Sequence, residues 1–343
     1  MSVQSFRYKV ENTPMIVAKS SLRFDWAMIV LSLWFVGGLF VDGWAHTHNK
    51  VDQSFFTPWH AILYSGWAVT ALFLVITALV HHHDGASWRE SVPTGYFPSL
   101  IGAGLFGIGG LGDMAWHIAF GIERGVEALL SPTHLVLAVS MGLVASGPLR
   151  AAWQRAYSGR VIDQLPMLLS VAFTLSVITF FVQSTHPVTQ LWGLNLLHSY
   201  RDDDFAATAL LLGMGVLTGA TLFVLRYGRP MPGAFTLIYG VNALAMAFLN
   251  ESFFPQKQVL AFVVAGALLD GLCMLLRPQP DQAWRWRMFA MCVPVALLGA
   301  YFVSLLLLSG ISWRIHFWMG IIVMSSVLAL IMSEAFRTRR DAQ

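Results

Sequence analysis

Long apolar runs broken by short polar segments dominate the chain. Ten stretches, at 24–45, 58–80, 98–119, 132–149, 166–184, 205–225, 234–252, 258–276, 288–309 and 314–335, each approach the roughly 20 apolar residues that a helix needs to cross a bilayer. The pattern predicts an all-α integral membrane protein with about ten transmembrane helices arranged as five helical hairpins. Residues 1–23 are polar and mildly basic and contain no apolar run long enough for a signal peptide, so insertion is expected to begin with the first apolar stretch.

Composition supports this reading. Of 343 residues, 56% are hydrophobic and 11% charged, too little charge to solvate a soluble globule of this size. The thirteen Trp and eight Tyr suit the lipid–water boundary. A scattered formal charge of +3 argues against a nucleic-acid partner and leaves the lipid bilayer as the expected one. Cys273 and Cys292 both lie in apolar runs and read as small buried hydrophobes.

The basic residues set the expected orientation. Sixteen Lys and Arg fall on the side of the termini and the even-to-odd loops, against five on the other. The positive-inside rule places both termini in the cytoplasm. The expected organisation is a cytoplasmic segment 1–23, a four-helix module 24–150, six further transmembrane helices 151–336 and a cytoplasmic tail 337–343.

One polar pattern occurs twice at the outer ends of these helices. Asp42 and His46 are followed by Thr57-Pro58-Trp59-His60, and Asp113 and His117 by Ser131-Pro132-Thr133-His134. A four-residue step puts each Asp and its first His on one helix face. Thr57 or Ser131 is a natural N-cap with Pro at the first helical position, so each second His lies about one turn into the next helix. Antiparallel neighbours would bring the three side chains together, and the carbonyls ending each odd helix favour a cation. Two imidazoles and a carboxylate suit copper(II), zinc or iron(II) and leave coordination positions open. The bland alternative is that both Asp residues hydrogen-bond interfacial groups.

Other polar residues carry weaker signals. Asp52, Glu123 and Glu127 could orient the imidazoles from outside the ligand set, and Glu251 is an acid within an apolar run that calls for a partner or a role. His48 is two residues from His46 and faces away from it. His81-His82-His83 lies at the inner end of the second span and reads as a solvated cluster. His186, His198 and His316 read as interfacial hydrogen-bonding groups, and Asp270 as paired with a neighbouring helix. Six glycines between Gly102 and Gly112 allow close helix approach in the third span.

The run from Asp42 to Tyr64, with its Asp-x3-His pair and Thr-Pro-x-His helix start, resembles the metal-binding hairpin in a membrane-embedded component of the copper membrane monooxygenases, the particulate methane and ammonia monooxygenases. The resemblance covers residues 30–145. It implies that Asp42, His46 and His60 form a first copper site and Asp113, His117 and His134 a second, with Asp113 standing where the family has Asn. It further implies oxidation of a small apolar substrate with dioxygen, and a partner that supplies electrons or a soluble copper domain. The family supplies that domain through a separate polypeptide, and this chain does not encode it. An oligomer is compatible with this reading. The expected location is the plasma (inner) membrane, with the metal sites facing the outside or periplasm.

Three other functions compete with an oxidoreductase: non-catalytic copper or zinc binding, delivery or sensing; bis-histidine haem ligation; and zinc-dependent hydrolysis with Asp52, Glu123 or Glu127 as base. Transport is disfavoured because spans one to six are almost bare of charge at mid-membrane.

Overall fold

A computed structural model describes residues 20–50, 57–121, 129–190, 193, 200–249, 255–308 and 310–337. Asp52, Glu123, Glu127 and Glu251, together with His198, lie outside the described residues. Every regular element among those described is helical: α1 (Leu22–Thr47), α2 (Pro58–His83), α3 (Phe97–Phe120), α4 (Pro132–Ala145), α5 (Gly147–Trp153), α6 (Val161–Phe181), α7 (Pro187–Gln190), α8 (Tyr200–Tyr227), α9 (Ala234–Phe248), α10 (Pro255–Leu276), α11 (Ala283–Leu308) and α12 (Ile315–Phe336), with one 3-10 turn at Gln183–Thr185.

Seven of these helices contain a segment long and apolar enough to cross a membrane, namely α1, α2, α6, α8, α10, α11 and α12; α4 and α5 together make an eighth. The α4–α5 pair bends by 43° where the sequence reads as one straight span. Ser146 hydrogen-bonds back to the Gly142 carbonyl at 2.5 Å, and Pro148 has no N–H for the carbonyl four residues before it. Both features bend helices. The fifth span starts earlier than the apolar run, at Val161, and carries Pro166 inside it. Asp163 in its first turn accepts the Ser158 hydroxyl at 2.6 Å and complements the positive helix end.

The α1–α2 and α3–α4 pairs form one side of the molecule, α6 runs through the middle, and α8 to α12 pack on its far side. Close backbone approach holds α1 on α2. A Cβ on Gly38 would stand 2.7 Å from Leu63 Cα, and one on Gly66 2.8 Å from Phe35 Cα. Only glycine allows that spacing at either position.

The end of this half away from the paired histidines is closed by a buried acid. Asp25 accepts the hydroxyls of Ser20 and Tyr96, each at 2.7 Å, and pairs with Arg155. Arg150 adds a bond from Nε to the Gly95 carbonyl at 2.9 Å and one from Nη2 to Ser99 Oγ at 2.8 Å. These bonds join the starts of α1 and α3 to α5.

Asp270 does pair with a neighbouring helix, through that helix's backbone. It accepts Phe235 N and Thr236 N, each at 3.0 Å, and Thr236 Oγ1 at 2.6 Å. The N-cap of α9 is Gly233, which has no side chain to offer, so α10 supplies the cap from outside.

His186 departs from its interfacial reading. The 3-10 turn folds it into the core, where it is buried, accepts Val188 N on Nδ1 at 3.2 Å and contacts Asn242 Oδ1 through Nε2 at 3.1 Å. Since Nδ1 accepts, Nε2 carries the proton, and burial pushes this imidazole down to about 4. It is a neutral core residue. His316 is exposed at the start of α12.

Replacing Asp270 with Ala leaves two backbone donors and one hydroxyl buried without an acceptor. The expected cost is about 1–3 kcal/mol, seen as a lower thermal midpoint of the detergent-solubilised protein by tryptophan fluorescence. An unchanged midpoint would remove the cap from this account.

Candidate metal centres

The two repeated patterns become two compact groups. Thr57 caps α2 by accepting His60 N at 3.1 Å, and Ser131 caps α4 by accepting His134 N at 3.3 Å, each followed by Pro in the first turn. Both second histidines therefore sit at the third helical position, and both Asp/His pairs lie in the last two turns of the preceding helix. In each of the groups Asp42/His46/His60 and Asp113/His117/His134, the potential ligand atoms lie within 4.8 Å of one another.

In the first group both imidazoles direct Nε2 at one carboxylate oxygen. His60 Nε2 lies 3.5 Å and His46 Nε2 3.8 Å from Asp42 Oδ2. Those spacings are long for hydrogen bonds. Ligands about 2.0–2.1 Å from a tetrahedral ion stand roughly 3.3 Å apart, so the three atoms lie near the separations that a shared cation would give them. The other oxygen, Asp42 Oδ1, is buried with no hydrogen-bond partner among the described residues. A buried carboxylate with a bare oxygen is costly unless a cation answers it, and the donor set fits a divalent metal on that ground.

The second group is built differently. His117 Nε2 lies 3.4 Å from Asp113 Oδ2, while His117 Nδ1 reaches the Gly121 carbonyl at 3.3 Å, which favours the tautomer with a free Nε2 lone pair. His134 instead turns Nδ1 toward Asp113 Oδ1, at 3.5 Å. That oxygen also accepts the Thr133 hydroxyl at 2.7 Å.

The groups are separate triads but near neighbours. Asp42 lies within electrostatic reach of Asp113, and His46 of His117 and His134. Tyr64 stands between them, in the field of both carboxylates. It lies one turn below His60 on α2, its ring 6.3 Å from that imidazole. A Cβ on Gly110, one turn below Asp113, would fall 2.7 Å from the Tyr64 hydroxyl. Gly107 receives Trp67 in the same way, with a Cβ 2.7 Å from Cζ2, and the Trp67 indole donates to the Ala103 carbonyl at 2.8 Å. The glycines of α3 thus serve two faces. Gly107 and Gly110 take aromatic rings from α2, while Gly102 and Gly109 lie against α4.

The far half of the bundle braces the first group. The ring of Phe180, on α6, fills the space beside Gly43, Trp44 lies near Phe248 with centroids 6.3 Å apart, and Thr47 Oγ1 donates to the Leu249 carbonyl at 3.2 Å. His48 does turn away. Its ring stacks on Trp44 at 4.6 Å and its Nδ1 contacts the Trp44 carbonyl at 2.8 Å. The His81-His82-His83 run does not converge either: His81 bonds the Ser91 carbonyl at 2.7 Å, His82 bonds the Ala86 carbonyl at 2.8 Å, and His83 is exposed.

Sequence reasoning missed Tyr64 and Thr133. Tyr64 lies at the helical i+4 position from His60, and Thr133 is the one position where the two helix starts differ between Pro and His. No family model, curated protein or solved structure matches this chain. Its fold and site define a class only: a helical protein with several membrane-spanning segments and two potential metal-binding Asp/His/His groups.

Gly110→Val should force α2 and α3 apart at Tyr64 and cost roughly 1–3 kcal/mol. Gly104 faces open space, so Gly104→Ala should be neutral or stabilise by up to about 1 kcal/mol. Thermal midpoints of the two variants, measured side by side, check this, and equal midpoints would contradict the socket.

Proposed function

We propose that the protein is an integral membrane metalloprotein that binds copper in both Asp/His/His groups and acts as an oxidoreductase on a small apolar substrate. The observation that carries this is the first group, where two imidazole nitrogens face one oxygen of a buried carboxylate whose other oxygen lacks a partner among the described residues. The repeat on α3–α4 supports it. The choice of copper, of dioxygen as oxidant and of an external electron donor or soluble copper-domain partner rests on the resemblance to the copper membrane monooxygenases.

Bound copper would supply one-electron chemistry toward dioxygen. The chain's own contribution is to hold four imidazoles and two carboxylates in fixed orientation at the ends of four helices. Trp44, Trp59 and Tyr64 screen the first group, with the Trp44 and Trp59 rings 5.8 Å apart. Exposed Ile62, Ile118, Phe120 and Leu130 surround the groups with an apolar surface by which a lipid-dissolved substrate could approach.

In this reading ten helices cross the plasma membrane as five hairpins, with both termini cytoplasmic and the metal groups facing outward. To the seven long spans and the bent pair it adds α3, whose six glycines dilute its apolar run, and α9, whose 15 residues rise about 22 Å. Residues 24–150 form the metal module and 151–336 its brace. A non-catalytic role in copper or zinc delivery has one observation in its favour, the 35% exposure of the His46 side chain, through which an ion could be handed on.

Elemental analysis of protein purified without chelator tests the proposal. One or two coppers per chain are expected, with about one lost in His60→Ala and a different one in His134→Ala. Zinc in their place would favour the delivery reading. Metal absent from folded wild-type protein would end the metalloprotein reading.

A further inference from the structure

The two groups are copies in sequence, yet hydrogen bonding makes them unlike. The Asp113 group contains a closed chain of contacts: His134 Nδ1 to Ser131 Oγ at 2.6 Å, Ser131 Oγ to Thr133 Oγ1 at 3.2 Å, and Thr133 Oγ1 to Asp113 Oδ1 at 2.7 Å. An ionised carboxylate only accepts, so the Thr133 hydroxyl donates to it. Thr133 then accepts from Ser131, and Ser131 accepts from His134. Every proton is placed. The His134 nitrogen that faces Asp113 is the one that carries a proton, and a protonated nitrogen is no ligand.

The Asp42 group lacks this chain. The counterpart of Thr133 is Trp59, whose indole N–H points away to the Lys50 carbonyl at 3.4 Å. Asp42 Oδ1 has no hydrogen-bond donor among the described residues, and both of its histidines present Nε2 to the carboxylate. This group meets a cation in the arrangement that a cation needs. The Asp113 group must first release His134 and share Asp113 Oδ1. Preorganised ligands bind more tightly because no competing bond is given up.

We propose that the two groups differ in metal affinity, the Asp42 group filling first, and that Thr133 sets the difference by closing the Asp113 group on itself. This rests on the metal-binding reading above.

The test titrates metal-stripped full-length protein in detergent with copper(II) alone. Bound copper is counted by elemental analysis after gel filtration, and its environment is read by electron paramagnetic resonance. Two steps are expected, the tighter lost in His60→Ala and the weaker in His134→Ala. Thr133→Val, which keeps the shape and removes the hydroxyl, should tighten the weaker step about tenfold, and Thr133→Ser should restore the wild-type gap. If Thr133→Val does not fold, Trp59→Thr provides the second arm and should weaken the tighter step. Simultaneous filling, reversed order, or a gap that Thr133→Val leaves unchanged or widens would overturn the proposal while leaving metal binding intact. Copper in neither group would overturn the metal-binding reading and this proposal together.

Discussion

A carboxylate buried in an apolar helical bundle has to be answered, and this fold is arranged around how four of them are. Asp25, Asp42, Asp113 and Asp270 are the buried acids among the described residues. Asp25 has an arginine and two hydroxyls, and Asp270 has the amino end of a neighbouring helix. Asp113 has Thr133 and faces two imidazoles. Asp42 is the exception, with one oxygen facing two imidazoles and the other facing no donor among the described residues. The first two are structural clasps because their needs are met within the protein. The last has an unmet need, which separates a potential binding group from a structural one.

Close helix contact is the second constraint, since apolar side chains gain little by leaving lipid for one another and tight packing must supply the association. Gly38 and Gly66 bring α1 onto α2. Gly107 and Gly110 then take Trp67 and Tyr64, and so fix where the second Asp/His/His group stands beside the first. Phe180 beside Gly43 carries the same logic to α6, which gives the later helices a role in bracing the first group even though they lack its motif.

Much of this was legible in one dimension. The apolar runs locate the helices because a helix satisfies its own backbone wherever it lies. The Ser/Thr-Pro-x-His starts fix both second histidines because capping is local. Span edges near Pro148 and Pro166 were less legible, since a bend or an early start depends on hydroxyls and acids a turn away. His186 was misplaced because an irregular turn, not a hydropathy break, carries it into the core.

The sequence by itself determined the class of the protein, its two Asp/His/His sets and the helix ends on which they sit, because periodicity and capping act over a few residues. Tertiary structure alone decided that the sets are separate triads yet neighbours, with Tyr64 between them. It also decided that Asp270 caps a helix, and that Thr133 reaches Asp113 while Trp59 leaves Asp42 bare. Those outcomes depend on which helix lies against which and on the direction of single hydrogen bonds across the gap, and no local pattern encodes either.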